Sequence, residues 1–126
     1  MGLAMRNGNV YVYLPLLLVA MTAAAIPSAL DPVRVAPHIY DIAFENDKVR
    51  VLKATIRNGE TAPLHAHSDR VIVYLNPCAW LEEDSEGGTQ MMSYKFGEPV
   101  WAPAETHGGI TANVVEQCSL LEIELK

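Results

Sequence analysis

From Tyr40 to the end of the chain, short segments of alternating apolar and polar residues are separated by turn signals, with no convincing amphipathic helix between them. Clear turn signals stand at Asn58-Gly59, Asn76-Pro77 and Phe96-Gly97. Alternation with period two is typical of strands, whereas a surface helix needs an apolar stripe with a period near 3.6. About eight short strands can bury their faces as a sandwich or as a small barrel. We therefore predict an all-β domain.

The last strand shows the plainest alternation. Three apolar residues alternate with three charged ones: Leu121, Ile123 and Leu125 with Glu122, Glu124 and Lys126. This pattern predicts a half-buried strand whose apolar face meets the core and whose charged face meets water.

Other segments predict finer features of the sheet. Between residues 48 and 57 the apolar positions change from odd to even numbers, which predicts a β-bulge. The segment from Asp84 to Gly88 is typical of a hairpin loop, and the segment from Ile110 to Val115 predicts a further strand. Pro103 to Thr106 predicts a bend that presents His107.

Length and charge limit the classes of partner. A chain of 126 residues, half of them apolar, suggests one domain with a packed core. The net charge of -6 and the lack of any Lys or Arg cluster argue against a nucleic-acid partner, because a polyanion is bound by clustered cations.

The N-terminus has the pattern of a targeting segment. Arg6 precedes an apolar, acid-free run from Val10 to Ala25 that ends in three alanines, as a secretory signal peptide does. The predicted division is a signal peptide at 1–25, an extended lead at 26–40 in which prolines disfavour helix, and a barrel domain at 41–126. An uncleaved membrane anchor and a buried first helix are the alternatives, although Pro15 interrupts the short run. Cleavage would leave a secreted or periplasmic protein without a stable membrane anchor.

The two cysteines are interpreted in the light of that compartment. Cys78 and Cys118 are too far apart in sequence for a C-x-x-C redox or zinc motif. In an exported small chain, a disulfide between them is plausible, because disulfides persist in oxidising compartments. The alternative is two unrelated buried thiols.

Three histidines form the candidate site. His65 and His67 stand one residue apart on a predicted strand, so both side chains point to the same face and can reach one metal ion. His107 is the third candidate ligand, and three imidazoles leave open positions on a divalent ion, as catalytic sites do. The alternative is that His65 and His67 are surface residues of a strand. His38 is placed outside the site.

The spacing of these residues resembles two motifs of small single-domain cupins, which are jelly-roll barrels with a metal in the barrel mouth. Gly59, His65 and His67 match the first motif, and four residues match the second: Gly97, Pro103, His107 and Asn113. The resemblance covers about Asp41 to the end of the chain. It implies a jelly-roll barrel, a metal site at the three histidines, and a homodimer formed through the sheets.

One family residue is missing. The glutamate of the first motif would stand at position 71 or 72, where this chain has Val71 and Ile72. Three neutral imidazoles leave the charge of a divalent ion uncompensated, so the site is expected to favour an anionic ligand. This donor set resembles that of three-histidine cupins such as the iron-binding thiol dioxygenases, and it suits Fe, Mn, Ni, Cu or Zn. Asp69 and Glu105 are weighed as a fourth contact or, alternatively, as solvated turn acids.

Three functional classes are open. The first is a metal-dependent enzyme, dioxygenase-like or isomerase-like, that acts on a small anionic organic molecule, with Tyr74 as a candidate acid or hydrogen-bond donor. The second is a noncatalytic module that binds a metal or a small ligand, and the third is a cupin whose site is degenerate.

The resemblance also bears on the two cysteines. In a jelly roll, the strand that begins at Cys78 would run antiparallel to the one that leaves His107. That arrangement would bring Cys78 close to Cys118.

Overall fold

The computed structural model describes residues 28–83, 87–110 and 115–126. These residues form nine strands: β1 Tyr40–Glu45, β2 Val49–Arg57, β3 Thr61–His67, β4 Arg70–Tyr74, β5 Cys78–Glu83, β6 Thr89–Tyr94, β7 Pro99–Ala102, β8 Glu105–Ile110 and β9 Gln117–Leu125. A five-stranded sheet has the order β1-β2-β9-β4-β7, and two further pairs join β3 to β8 and β5 to β6. Every pairing is antiparallel. The predicted all-β jelly roll is confirmed.

The lead to the barrel is not extended as predicted. A 3₁₀ turn at Ser28–Leu30 is followed by the short helix α1, Pro32–Val35. Proline is tolerated at the first helical position, where its missing N–H has no partner to lose, and the Asp31 side chain caps the helix by accepting from the backbone N–H of Val33. Ala36 then enters the core.

The predicted signal peptide falls outside the described residues, and the division at residues 25 and 40 stays a prediction. Within the described ranges, no helix has the length and apolar character needed to cross a membrane.

The β-bulge predicted between residues 48 and 57 does not lie in β2 itself but in the strand that pairs with it. Strand β2 pairs with β9 without interruption from Val49 to Arg57. The apolar positions switch from odd to even numbers because both faces of β2 carry some apolar residues: Val51 lies on the outer face and Leu52 in the core. The irregularity lies in the neighbouring strand β1, between Ile42 and Phe44.

The orientation predicted for the last strand is reversed. Glu122 and Glu124 are buried on the inner face of β9, at 4% and 2% exposure, whereas Leu125 on the outer face is 45% exposed. Cys118 and Leu120 occupy the same inner face and belong to the core. The two glutamates are accommodated because buried cationic and imidazole side chains face them from the strands on either side.

The core lies between the five-stranded sheet and the two strand pairs. Its buried members are Ala36, Ile39, Tyr40, Leu52, Ala54, Tyr74, Cys78, Cys118 and Leu120. The loop predicted from Asp84 to Gly88 and the strand predicted from Ile110 to Val115 lie partly outside the described residues.

Cys78 and Cys118 form the predicted disulfide, with Cα atoms 5.3 Å apart. Among the described strands, β5 pairs with β6, so the neighbour expected from the family topology does not supply the contact. Instead, the turn after β4 lies against the start of β9: the side chain of Asn76 accepts from the backbone N–H of Ser119. This turn brings Cys78 beside Cys118.

Replacing both cysteines by serine is expected to lower the free energy of unfolding. The bond closes a loop with a sequence separation of 40, for which chain entropy gives roughly 4 kcal/mol, with smaller values often measured. Urea unfolding of the oxidised protein, the reduced protein and the double serine variant measures the difference. Equal midpoints for all three, or two alkylated thiols in the untreated protein, would contradict the structure.

Candidate metal centre

Strands β3 and β8 bring the three histidines together. His65 and His107 are direct partners across this antiparallel pair, and His67 follows His65 on the same face of β3. His107 lies within β8. The bend predicted over Pro103 to Thr106 is confined to Pro103 and Ala104, because the strand already begins at Glu105. The register shifts between Ala62 and His65. A side chain at Gly108 would come within 3.0 Å of the backbone of Leu64, so glycine lets the two strands approach at this shift.

The histidine rings form one cluster. A ligand nitrogen of each of His65, His67 and His107 lies within 4.8 Å of the other two. The ring centroids are 4.5 Å apart for His65 and His107 and 4.9 Å apart for His65 and His67. The geometry brings the three side chains into one cluster, and their role as metal ligands stays a prediction. His38 lies apart, exposed, with its Nε2 3.1 Å from the carbonyl oxygen of Thr61.

Hydrogen bonds fix the tautomers of the two buried histidines. Nδ1 of His65 donates to the carbonyl oxygen of Pro63 at 2.7 Å, and Nδ1 of His67 donates to Oε1 of Glu124 at 2.8 Å. A neutral imidazole that donates from Nδ1 keeps a lone pair on Nε2. The Nε2 atom of His65 accepts from the hydroxyl of Tyr40 at 3.1 Å. The Nε2 atom of His67 is buried and has no hydrogen-bond partner.

The surroundings of His65 and His107 favour the neutral form of both imidazoles. Burial lowers the pKa of His65, and the bond to Pro63 opposes this only in part. Desolvation and then the neighbouring His65 lower the pKa of His107 to about 4, even though this residue remains accessible to solvent. Neutral imidazoles are the form that binds metal ions.

Two buried glutamates, Glu122 and Glu124, lie close to Nδ1 of His67, and the sequence pattern had placed both on the solvent-facing side of the last strand. Glu124 accepts from Nδ1 of His67, and Oε2 of Glu122 lies 3.3 Å from the same nitrogen. Burial raises the pKa of Glu122, with His67 and Arg70 acting in the opposite direction. No local signal in the sequence indicates them, because the arginines that pair with them, Arg50 and Arg70, lie on other strands.

Arg70 pairs with two acids, Glu122 and Glu105. Its Nε lies 2.6 Å from Oε2 of Glu122, an ion pair without the direction of a regular hydrogen bond, and its Nη2 donates to Oε1 of Glu105. Burial alone would raise the pKa of Glu105, but this bond and the nearby His107 lower it overall. Glu105 is therefore not a free turn acid, and it is not part of the cluster of ligand atoms that the three histidines form. Asp69 accepts from the backbone N–H of Ala104, which joins the connection before β4 to the one before β8.

The remaining motif positions fall in three places. Gly59 and Gly97 adopt positive φ angles of 77° and 75°, which glycine allows in tight turns. Ile72 lines the cavity beside the site, whereas Val71 pairs with Ile123 on the opposite face of the sheet. Neither residue offers a ligand atom. Asn113 lies outside the described residues.

A cavity of about 370 Å³ adjoins the cluster at His107. Its polar end contains Arg70, Glu105 and Glu122, and its apolar walls include Ile72, Trp80 and Val100. Tyr74 lines the cavity but is 1% exposed, with its ring stacked 4.3 Å from that of Tyr94. Tyr40, which sequence reasoning placed at the start of the barrel and not in the site, has its hydroxyl beside His65. Burial and then the charge of Glu122 raise its pKa, so Tyr40 stays a hydrogen-bond donor.

The residues present fit a bound transition metal. The Nε2 atom of His67 is buried without a hydrogen-bond partner, and a buried polar atom in that state is costly unless another group, such as a metal ion, uses it. Three imidazole nitrogens form a donor set that suits zinc, copper, iron and nickel. The carboxylate behind His67 is the usual partner of a metal-binding histidine.

The fold has counterparts among solved structures. A cupin domain from Bordetella pertussis Tohama I superposes with a TM-score of 0.57 and 24% identity over 70% of this chain and 92% of that chain. A cupin superfamily protein from Desulfitobacterium hafniense DCB-2 gives a TM-score of 0.48 and 17% identity over 69% of this chain and 75% of that chain. No model of a protein family and no curated protein sequence matches the chain. The likeness to the Bordetella pertussis domain, together with the topology, shows that this chain has the fold of a small single-domain cupin.

Proposed function

We propose that this protein binds one divalent transition metal through His65, His67 and His107 and uses it to act on a small organic molecule. The observation that carries the proposal is the buried, unpartnered Nε2 of His67, which lies with two other imidazoles in a single cluster. The candidate ions are those predicted from the sequence: Fe, Mn, Ni, Cu or Zn. Such an ion supplies a Lewis acid and, for iron or copper, a redox centre.

The cavity indicates the shape of the molecule. One end holds His107 and the ion pair of Arg70 with Glu105, and the opposite walls are apolar and aromatic. The guanidinium of Arg70 is engaged by Glu105 and Glu122. The attraction for an anionic group therefore comes from the metal ion itself. We propose a ligand with one carboxylate, thiolate or similar head and a compact apolar body.

A dioxygenase-like or isomerase-like reaction is the form of activity that this site supports best. Tyr40 contributes a hydroxyl next to His65, and the apolar walls exclude water from a bound molecule. A noncatalytic binding module is the second candidate. It is favoured by the engagement of Arg70, Glu105 and Glu122 with one another, which leaves these groups less free to move a proton.

We also propose that the protein works outside the cytoplasm, as a secreted or periplasmic protein. The disulfide between Cys78 and Cys118 supports this location, because such bonds persist in oxidising compartments.

The outer face of the five-stranded sheet supports the proposal of a homodimer. The strand register aligns one apolar residue from each strand across this face: Phe44, Val51, Ile123, Val71 and Trp101. Phe44 and Trp101 are 54% and 56% exposed. We name these five residues the apolar row.

A second copy is the occupant that fits the apolar row. Two half-exposed aromatic rings and their aliphatic neighbours leave on the order of 500 Å² of apolar surface, which with a polar rim approaches the area that each partner of a small stable dimer buries. Two such sheets can pack face to face about a two-fold axis, since the same row then meets itself.

Removing any one ligand histidine is expected to abolish stable metal binding. His65→Ala, His67→Ala and His107→Ala each delete one of three donors, so the purified variants should carry far less metal than the wild type. Metal analysis by mass spectrometry measures the loss. His38→Ala is the matched control, because His38 is exposed and lies outside the cluster. Full metal occupancy in the His65, His67 double variant would contradict the site.

Catalysis is expected to depend on the same cluster. The iron(II)-loaded protein should consume oxygen with at least one member of a panel of small thiols and carboxylates, and the His107→Ala variant should not. An oxygen electrode measures the rate, with His38→Ala as the control. Binding of panel members to the metal-loaded protein without oxygen consumption or isomerisation would favour the noncatalytic module.

A charge in the apolar row is expected to break the dimer. Ile123→Glu places a carboxylate at the centre of the row, where burial against a second copy would be costly. Size exclusion with light scattering should show a dimer for the wild type and a monomer for the variant. Phe96→Glu is the matched control, since Phe96 is 73% exposed and lies outside the row. A wild-type monomer at micromolar concentration would refute the proposal.

A further inference from the structure

We infer that Asp31, Arg50 and Glu124 are positioning residues for the metal centre, joined in a chain of charged hydrogen bonds that orients His67. The chain begins in the segment before the barrel and ends at a ligand of the proposed ion. This inference rests on the proposed function, since a positioning role requires that His67 binds a metal.

The inner end of the chain is the bond between His67 and Glu124. Nδ1 of His67 donates to Oε1 of Glu124 at 2.8 Å, and both side chains are almost completely buried. Because a carboxylate only accepts, this bond keeps the proton on Nδ1 and the lone pair on Nε2. The ring is thereby held in the one tautomer that presents Nε2 to the other two histidines.

Arg50 fixes the other oxygen of Glu124. Its Nε and Nη2 lie 2.8 Å and 2.7 Å from Oε2, a two-point contact that removes the freedom of the carboxylate to rotate. Burial alone would lower the pKa of Arg50, but the bonds with Glu124 and Asp31 raise it overall. The guanidinium therefore stays charged between its two acids.

Asp31 completes the chain from outside the sheet. Nη1 of Arg50 donates to Oδ2 of Asp31 at 2.9 Å and to Oδ1 at 3.1 Å. Oδ1 also accepts from the backbone N–H of Val33, so the same residue caps α1. Helix α1 and His67 are thus linked through three side chains, those of Asp31, Arg50 and Glu124.

The charges of the chain also suit an ion that has only neutral ligands. Asp31 and Glu124 each carry one negative charge and Arg50 carries one positive charge, which leaves one net negative charge behind His67. An ion pair between Arg50 and Glu124 that only stabilised the fold would not require Glu124 to accept a hydrogen bond from His67 as well. The chain supplies, one shell away, part of the compensation that the missing first-motif glutamate does not.

The test measures Co²⁺ affinity of the full chain by titration, with the visible absorption of bound Co²⁺ as a record of coordination geometry. Asp31→Asn keeps the helix cap, since asparagine caps as well as aspartate, and removes the charge facing Arg50. Glu124→Gln keeps the size of the side chain and removes the carboxylate. Glu45→Gln is the control, because Glu45 pairs with Lys126 at an exposed site and carries the same charge. Thermal unfolding without metal separates stability from binding.

Glu124→Gln is expected to weaken Co²⁺ binding by about 10- to 100-fold, as loss of an outer-shell partner does. Asp31→Asn should weaken it less, and both should shift the visible bands of bound Co²⁺. Glu45→Gln should change neither. If Glu124→Gln does not fold, Asp31→Asn decides the matter.

Wild-type affinity and an unshifted spectrum in both variants, with or without a lower melting temperature, would overturn the inference and leave the metal site standing. Failure of the wild type to bind Co²⁺ would overturn the proposed function and this inference together.

Discussion

Two glutamates buried side by side on β9 are the constraint around which the rest of the barrel is arranged. Removing one partner from a buried ion pair leaves an uncompensated charge, which costs about 3–5 kcal/mol. Glu122 and Glu124 therefore require the arginines that face them from β4 and β2, and these strands flank β9 in the sheet. The same pairing requires that β9 turn Leu121, Ile123 and Leu125 outward, and Ile123 becomes the central residue of the apolar row.

Much of the fold could be predicted from local signals. The turn at Gly59 and the strand that carries His65 and His67 were predicted from residue type and spacing, and a disulfide between the two cysteines was expected from their number and the proposed compartment. The facing of β9 could not be predicted, because alternation shows that two faces differ but not which one is buried. Hydrophobicity favoured Leu121 inside. The decision instead depends on Arg50 and Arg70, which lie 74 and 52 positions away from their glutamate partners in sequence.

For the site, too, some features could be predicted from the sequence and others could not. The three histidines were identifiable because a strand places positions i and i+2 on one face and the second motif supplies His107. Their environment was not identifiable from the sequence. The missing glutamate at positions 71 and 72 suggested an ion with no nearby negative charge, but β9 places two carboxylates within 3.3 Å of Nδ1 of His67. A carboxylate one shell away offsets the ionic charge without occupying a coordination position, so an open position for a ligand is kept.

The central claim is that the three imidazoles hold one metal ion, and anomalous X-ray diffraction from a crystal grown with Co²⁺ or Zn²⁺ tests it most directly. The account predicts a single strong anomalous peak at about 2.0–2.2 Å from Nε2 of His65, from Nε2 of His67 and from a ring nitrogen of His107. It also predicts that the Tyr40 hydroxyl no longer donates to His65, because the ion takes that lone pair. A peak at another place, or no peak at saturating metal, would contradict the account.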